Sequence, residues 1–303
     1  MTLTGPPMES SPVMTVERTT ADRDLLLALL APRAAGGPRR AAKILLQSGR
    51  RGLEQLVDGL PVDERQSAIE IATHLREQGV EVVFFDDPRY PDRLRRAPGA
   101  PLALFCRGPI ELLEQTSVGV CGSRNASSNG LRAARACGQD AAALGMVVVS
   151  GYAKGVDTEA HLSALAAGGS TVAVLAEGIS DFRLKQSYGN LPDGALSRLL
   201  VISQFPPRQR WTAGAAMTRN QVIVGLGDAV VVVEAGAGGG TLRAGEAALQ
   251  TGKQLWVLGF PGEDPPGNQA LLTAGGRRVA NRAELSDGMR KLATEPRTQG
   301  LFD

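Results

Sequence analysis

The run Val118-Gly-Val-Cys-Gly-Ser-Arg124 indicates the fold class, because a short apolar segment ends there in glycine and an alanine-rich segment follows. The pattern recurs at Val147-Val-Val-Ser-Gly151 and at Ala229-Val-Val-Val-Val-Glu234. An apolar β-branched run followed by a glycine turn and a helical segment is typical of a parallel strand that enters a helix. The repetition predicts a parallel sheet with short connections to helices.

The alternation of strand and helix continues over most of the chain and predicts an α/β fold with a doubly wound, mostly parallel sheet. Strands are predicted near 80–85, 101–106, 118–121, 146–150, 171–175, 200–203, 229–234 and 254–258, and helices near 127–144, 157–167, 193–199, 216–224 and 241–251.

The chain has 303 residues, which suffices for one large and one small domain. We expect a disordered tail at 1–20, a small helical domain at 21–79, the sheet domain at 80–285 and a polar tail or frayed helix at 286–303. The helical domain contains Gly37-Pro-Arg-Arg-Ala-Ala-Lys-Ile-Leu-Leu46, a glycine turn that opens a basic helix. Such a turn can hold a nucleic-acid backbone, as in helix-hairpin-helix modules. It is more often an ordinary helix start with a solvated basic face.

The composition limits the function classes. A net charge of +2 is too small for a general polyanion binder, so any nucleic-acid site must come from local clustering. The odd number and the spacing of Cys106, Cys121 and Cys137 suit neither a metal site nor disulfides, which predicts buried thiols in a reducing cytoplasm. There is no apolar run near ~18 residues and no apolar signal core, so we expect a cytoplasmic protein without a membrane span.

The glycine turns are candidate phosphate sites, because the turn before a helix exposes backbone N–H groups at the helix N-terminus. In the first turn Gly122 allows close approach of a phosphate, Ser123 offers a hydroxyl and Arg124 can bind phosphate bidentately. The alternative is a plain strand-to-helix turn with a surface arginine.

The second turn places Gly151 and Gly155 on either side of Lys154 at a helix start. Asp157 reads as an N-cap or first-turn acid, and His161 lies four residues on, so the two side chains can share a helix face. An Asp/His pair can act in acid–base catalysis but is more often a structural hydrogen bond. We find no catalytic triad or metal-ligand constellation and expect no cofactor.

A third group of candidates follows the later strands. Arg219 and Asn220 can contact a ligand, and Asn220 can instead cap a turn. Glu234 can accept hydrogen bonds from backbone N–H groups of a neighbouring loop or contact a ribose, and Gly240 with Thr241 opens another helix. No turn has the full G-x-G-x-x-G or Walker pattern, which disfavours an ordinary NAD enzyme or P-loop ATPase.

The segment 183–219 carries the clearest charge asymmetry, with six basic residues against Asp193. Basic side chains can follow a phosphate backbone, and aromatic rings can stack on bases. The alternative is a surface loop whose aromatic residues fix it to the core. The basic residues are Arg183, Lys185, Arg198, Arg208, Arg210 and Arg219, and the aromatic residues are Phe182, Tyr188, Phe205 and Trp211.

Together the motifs resemble the DprA/Smf family of DNA-processing proteins. Matching motifs occur in family order at 90–94, 122–124, 150–161, 168–175, 205–207, 219–226, 232–235 and 267–269, so the resemblance covers about residues 24–285. It implies an extended Rossmann-like fold with a small helical N-terminal domain. It also implies a homodimer that binds single-stranded DNA and loads RecA during natural transformation, and that is no enzyme. By position, Arg124 and the backbone of Gly122 and Ser123 would contact phosphate, with Lys154, Lys185, Arg219 and Asn220 as further candidates.

The sequence departs from the family pattern in the expected pocket. Gln221 stands where a second arginine is usual, Gly239-Gly240 replaces Ser-Gly, and the turn at 176–178 and the loop at 185–190 differ. Two alternatives therefore stay open. One is a nucleotide sensor or a phosphoribohydrolase-like protein of the same wider fold, since the 238–246 turn resembles such enzymes, although its glutamate spacing fits poorly. The other is a scaffold without affinity for nucleic acid.

Overall fold

The computed structural model describes residues 20–294. The expected disordered tail at 1–20 lies outside these residues except for Thr20, which begins the first helix, and 295–303 of the expected C-terminal tail also lie outside them.

The described residues form an α/β structure in which strands and helices alternate from β3 onward except between β5 and β6, where the helix predicted near 193–199 is only a 3-10 turn at Ala195–Arg198. Its helices are α1 Thr20–Ala34, α2 Pro38–Asp58, α3 Val62–Glu77, α4 Asp92–Arg95, α5 Ser128–Ala143, α6 Val156–Ala166, α7 Ala213–Leu226, α8 Gly240–Gln250, α9 Pro266–Thr273 and α10 Arg282–Thr294. Its strands are β1 Val80–Phe84, β2 Ala103–Arg107, β3 Ser117–Cys121, β4 Val147–Gly151, β5 Ser170–Val174, β6 Leu199–Ser203, β7 Ala229–Val232, β8 Gln254–Leu258 and β9 Arg277–Val279.

The nine strands make one sheet in the order β1-β2-β6-β5-β4-β3-β7-β8-β9. The β1–β2 and β2–β6 pairs are antiparallel, and all other pairs are parallel. The chain moves outward from β3 through β4, β5 and β6, and then crosses by α7 to β7 on the other side of β3. The predicted doubly wound, mostly parallel sheet is confirmed, and its direction of winding reverses between β3 and β7. Ligands of such sheets bind outside the carboxyl ends of the strands at this reversal.

The core consists of small aliphatic side chains, as a chain with 4% aromatic residues requires. The parallel strands are buried on both faces, which explains their continuous apolar runs in place of alternation. Cys106, Cys121 and Cys137 lie unpaired in this core, and burial raises the pKa of each thiol, to about 12 for Cys121 and Cys137.

The N-terminal helices pack directly on the sheet. Leu25 of α1, Leu45 of α2 and Leu75 of α3 share one buried cluster with Val82 of β1 and Val201 of β6. The core is therefore continuous across residue 79, where the sequence predicts a boundary between domains. Helix α2 contains a break at Gly49, whose φ of +62° lies in the left-handed region.

The C-terminal part is more regular than the sequence predicts. The periodic signal fades after residue 272, yet α9, β9 and α10 follow, and β9 adds an edge strand beside β8. Met289 of α10 is fully buried, and a Cβ on Gly288 would lie 3.1 Å from the ring of Trp256. Of the two predicted alternatives for 286–303, residues 286–294 adopt the helix, and an apolar face of this otherwise polar helix covers β8.

Helix α7 carries two predicted site residues, and two basic side chains hold its C-terminal end. Lys253 Nζ donates to the carbonyl oxygen of Gly225 at 2.8 Å and also to that of Gly227. Arg93 Nε donates to the carbonyl oxygen of Leu226, and Leu94 packs where a Cβ on Gly225 would fall. Cations at a helix C-terminus stabilise its free carbonyl groups. The Tyr-Pro-Asp-Arg-Leu motif at 90–94 thus helps to fix the helix that presents Arg219.

Candidate nucleic-acid interface

The turn after β3 packs against the starts of two helices. The carbonyl oxygen of Gly122 accepts a hydrogen bond from Thr241 Oγ1 of α8 at 3.1 Å. The carbonyl oxygen of Ser123 accepts one from the backbone N–H of Val156 of α6 at 3.2 Å. These bonds bring the first, second and fourth strand-to-helix turns of the parallel sheet to one place at its carboxyl edge.

Glycine is required at position 155 by both conformation and space. Gly155 has a φ of +80°, and a Cβ there would lie 2.4 Å from the carbonyl oxygen of Ser123 and 2.7 Å from that of Arg124. A larger residue would strain the backbone and push the two turns apart.

The helix N-termini at this edge differ in whether a side chain already closes them. Ser127 caps α5 by accepting from the N–H of Gly130 at 3.0 Å, and Glu234 in turn accepts from the N–H of Ser127 at 2.9 Å. Helices α6 and α8 instead begin after Gly155 and Gly239, with no side-chain cap. In α6 the N–H of Val156 is bound to the carbonyl oxygen of Ser123, and among the described residues no side chain caps the N–H groups that follow it or those that begin α8. These N–H groups therefore remain open to an anion, whereas the protein's own carboxylate serves α5.

Exposed cations stand beside these open N-termini. Arg124 is exposed, and its guanidinium lies 5.2 Å from the ring centre of Trp211, which is itself 47% exposed. Lys154 is exposed directly before Gly155. Within residues 20–294 no carboxylate forms an ion pair with Arg124 or Lys154. Both cations are therefore free to meet an external anion.

The third cation, Lys185, is held in place by the second turn. Its Nζ donates to the carbonyl oxygen of Tyr152 at 3.0 Å and lies 4.3 Å from the Tyr152 ring centre. The hydroxyl of Tyr152 accepts from the N–H of Lys185 at 2.8 Å. Burial lowers the pKa of the half-buried Lys185, and the Asp157 carboxylate opposes that change. This lysine is positioned before any ligand arrives.

Arg219 lies beneath the surface of the site, with 5% of its residue surface exposed. Its Nη1 donates to the carbonyl oxygen of Val174 at 3.0 Å and lies 3.8 Å from Asp157 Oδ2. Its Nε has no hydrogen-bond partner among the described residues. A Cβ on Gly151 would overlap Arg219 Nη1 at 1.5 Å, so glycine at 151 makes room for the guanidinium. Desolvation lowers the pKa of Arg219.

Asp157 is the counter-ion of this buried arginine. Burial raises the pKa of its carboxyl, while Arg219 acts in the opposite direction. The N–H of Ala153 donates to Asp157 Oδ2 at 3.3 Å, which ties the second turn to the start of α6. The carboxylate thus links a buried charge to the backbone that forms the candidate site.

His161 is fully buried and does not pair with Asp157. Its Nε2 donates to the carbonyl oxygen of Gly151 at 2.8 Å, and Nδ1 pairs with the hydroxyl of Thr171. Desolvation lowers the pKa of the imidazole to about 4, so it is neutral at pH 7. Of the two alternatives for this residue, the geometry favours the structural hydrogen bond.

The depressed pKa of His161 predicts a pH-dependent stability. The unfolded chain takes up a proton near pH 6.5, whereas the folded chain does so near pH 4, so acidification through this window favours unfolding. His161 should cost the fold about 3 kcal/mol by pH 4 relative to pH 7. Urea unfolding of the wild type and of His161→Gln, measured between pH 7 and 4, checks this. Both proteins contain Asp157, so its titration contributes equally to the two pH profiles. Equal slopes of the free energy of unfolding against pH in the two proteins would contradict the expectation.

Two amide side chains shape the turn after β7. Asn220 Nδ2 donates to the carbonyl oxygen of Gly240 at 2.9 Å, which orients the start of α8. Asn268 is fully buried, donates to the carbonyl oxygens of Val233 and Leu258 at 3.0 and 2.9 Å, and accepts from the N–H of Ala235 at 2.8 Å. The sequence marks Asn268 only as part of a family motif, but its bonds join the carboxyl ends of β7 and β8.

The basic segment 183–219 does not form one continuous face. Arg198 donates to the carbonyl oxygens of Leu165 and Gly169 at 3.2 and 3.1 Å, at the C-terminal end of α6 and thus away from the candidate site. Tyr188 is buried, so it fixes the loop to the core, whereas Trp211 is open to a ligand. Arg198 therefore does not line the candidate site, because its guanidinium is bound to the C-terminal end of α6.

The structure thus brings most of the predicted residues to one edge of the sheet. Lys154 lies at this edge because it directly precedes Gly155, which packs against the first turn. Arg219, Asp157 and His161 are buried beneath the site and support it. Sequence reasoning did not single out Tyr152, whose ring and hydroxyl hold Lys185, and it gave Trp211 no individual role. An aromatic residue inside a glycine turn is the only sequence signal for the former.

Two further observations concern the described part of the chain. In residues 20–294 no helix combines the length and apolar character that a membrane crossing needs. The same residues contain no group of three or more histidine, cysteine or acidic side chains placed to hold a metal ion.

Fold and site define an extended Rossmann-like protein with glycine-rich turns and basic side chains at one sheet edge. The sequence model of DNA recombination-mediator protein A matches residues 81–292, and the chain belongs to this family, known as DprA/Smf. The DNA processing protein DprA of Streptococcus pneumoniae is 35% identical over 172 residues, which are 57% of this chain and 60% of that protein. The chain thus matches less than two thirds of this relative's length.

Two solved structures have the same fold. The X-ray structure of Streptococcus pneumoniae DprA superposes with a TM-score of 0.68 and 25% identity, over 86% of this chain and 96% of that chain. A Helicobacter pylori DprA structure, which concerns the single-stranded DNA binding mode of that protein, gives a TM-score of 0.59 and 23% identity, over 66% and 93% of the chains.

Proposed function

We propose that this protein binds single-stranded DNA at the carboxyl edge of its sheet. The observation that carries the proposal is the exposed Arg124–Trp211 pair beside the open N-termini of α6 and α8. Arg124 and the helix N-termini suit a phosphate, and the Trp211 ring suits a base. Each nucleotide of a nucleic-acid strand presents both groups. The single-stranded DNA that the Helicobacter pylori relative binds supports the same ligand class.

In this proposal the phosphate backbone follows the turns. One phosphate accepts hydrogen bonds from the N-terminus of α6 and from Arg124, and Lys154 supplies a second charge. Asn220, Gly240 and Thr241 shape the start of α8 for a neighbouring phosphate. An unpaired base stacks on the exposed face of Trp211. A duplex could not make this contact, because its bases are stacked on one another inside the helix. Arg219 acts from below by fixing the second turn.

The finer proposal follows the family. A cytoplasmic homodimer would protect incoming DNA and load RecA on it during transformation or recombination, without catalysing a reaction itself. A site built from phosphate-binding turns and a neutral, buried His161 supports binding in place of acid–base chemistry. Loading is tested by RecA filament growth on single strands that are coated beforehand with single-strand-binding protein. The protein should shorten the lag before growth, and an unchanged lag would contradict loading.

The first experiment measures the affinity for a fluorescent single-stranded oligonucleotide across a salt series. We expect tight binding whose logarithm falls linearly with the logarithm of the salt concentration, because bound cations release counterions. Duplex of the same sequence should bind more weakly. No binding to the single strand, with a mononucleotide raising the melting temperature instead, would overturn the proposal and favour a nucleotide sensor.

A further inference from the structure

We propose a second contact for the same strand: a cavity between α5, β8, β9 and the start of α10 receives one nucleobase. This inference rests on the proposed function. The cavity has a volume of about 260 Å³ and is lined by Asn129, Arg132, Leu258, Phe260, Val279 and Leu285, among other residues.

The cavity lies where a strand bound at the first site would arrive. Leu258 and Val279 end β8 and β9, so the cavity opens at the same carboxyl edge of the sheet as Arg124. Asn129 follows Arg124 by five residues, so the two Cα atoms are at most about 18 Å apart. About six nucleotides cover that distance at the duplex rise of about 3.4 Å per nucleotide.

The charges around the cavity favour a neutral ligand over a second phosphate. Arg282 binds Asp140 through Nε at 3.0 Å and Nη2 at 2.6 Å, and Arg278 pairs with Asp264. Asn281 Oδ1 caps the start of α10 by accepting from the N–H of Glu284 at 3.0 Å, and the Glu284 carboxylate accepts from the N–H of Ala280 at 2.9 Å. Arg278, Arg282 and the N-terminus of α10 therefore already have partners within the protein. They border the cavity but do not offer a site for an anion.

The remaining groups match a planar heterocycle. Phe260 is half-buried against the core beneath it, which leaves part of its ring at the cavity, and aliphatic side chains form the floor. Arg132 is exposed at the rim and donates to Asn129 Oδ1 through Nη2, so its other N–H groups can reach a base edge or a flanking phosphate. A base can stack on the ring while the rim reads its polar edge.

The other large cavity lacks these properties. It has a volume of about 360 Å³ and is lined by three glutamates, Glu81, Glu111 and Glu114, and by one cation, Arg89, which pairs with Glu81 at 3.4 Å. It lies near the end of β2, and β2 runs antiparallel to β6, so this cavity lies away from the carboxyl edge of the parallel strands. Of these two cavities in the described part of the chain, the one at Phe260 therefore lies within reach of a bound strand.

The test uses a labelled twelve-nucleotide thymidine strand and a set of strands with one abasic nucleotide at each position. Phe260→Leu keeps the apolar packing but removes the aromatic face, and it should weaken binding of the intact strand about tenfold. In the wild type an abasic nucleotide at the position that reaches the cavity should cost a similar factor. That cost should vanish in Phe260→Leu, because no stacking remains to be lost.

The controls separate this inference from the proposed function. Arg135→Gln alters the same helix, but Arg135 pairs with Glu159 outside the cavity, so binding should not change. Arg132→Gln changes an exposed residue and serves as a second variant if Phe260→Leu does not fold. It should weaken binding several-fold. If the wild type binds and Arg124→Ala weakens it, while Phe260→Leu and Arg132→Gln bind every strand as the wild type does, the base cavity is overturned alone. If the wild type does not bind, the proposed function fails.

Discussion

Arg124→Ala is expected to weaken single-stranded DNA binding about 10- to 100-fold at low salt without loss of the fold. A hydrogen bond that involves a charged group contributes about 1.5–3 kcal/mol, and the guanidinium stacked on Trp211 is already placed to make it. Its loss should also reduce the slope of log affinity against log salt by about 0.7, the value for one phosphate contact on a single strand. Fluorescence anisotropy over a salt series measures both quantities.

Two variants sharpen this test. Arg124→Lys keeps the charge but loses the planar fork, so it should retain the salt slope and recover only part of the affinity. Arg96→Ala removes an exposed arginine that directly follows α4. Leu94 of α4 packs against the C-terminal end of α7, so Arg96 lies near the amino edge of the parallel strands, whereas the candidate site lies at their carboxyl edge. The binding of this variant should equal that of the wild type. Equal losses for Arg96→Ala and Arg124→Ala would contradict the site and indicate a general effect of charge.

Asp157→Asn is expected to destabilise the protein by about 3–5 kcal/mol. The substitution keeps the shape of the side chain and an acceptor for the N–H of Ala153, but it leaves the buried Arg219 without its counter-ion. The second turn should loosen with it, since Gly151 packs against the guanidinium. The midpoint and slope of urea unfolding measure the loss.

A double variant shows whether the pair is the cause. Arg219→Met with Asp157→Asn removes both charges, and its stability should lie well above that of Asp157→Asn alone, since the two residues are directly coupled. The control is Asp287→Asn, which breaks the exposed pair with Arg290 and should change the free energy of unfolding by less than about 1 kcal/mol. Additive losses in the double variant would contradict a buried pair.

The elements of the sheet were predictable because each signal is local. The runs at β3, β4 and β7 are short, β-branched and bounded by glycine, and a strand buried on both faces needs that composition wherever it lies. The sequence left helix α10 open between a polar tail and a frayed helix for the opposite reason. Its few buried residues, Leu285, Gly288 and Met289, gain their apolar contacts from Trp256, which its own sequence does not reveal.

Local sequence was enough to predict the strands β1 to β8, the glycine turns and hence the edge of the sheet where a ligand can bind. Only the tertiary structure decided how each turn is used. Glu234 closes the N-terminus of α5 from 107 residues away, while α6 and α8 stay open. Arg219 is buried on Asp157, and Arg124 remains exposed on Trp211. The physical reason is that the availability of a charge or an N–H group depends on which distant residue has already satisfied it, and local sequence carries no record of that contact.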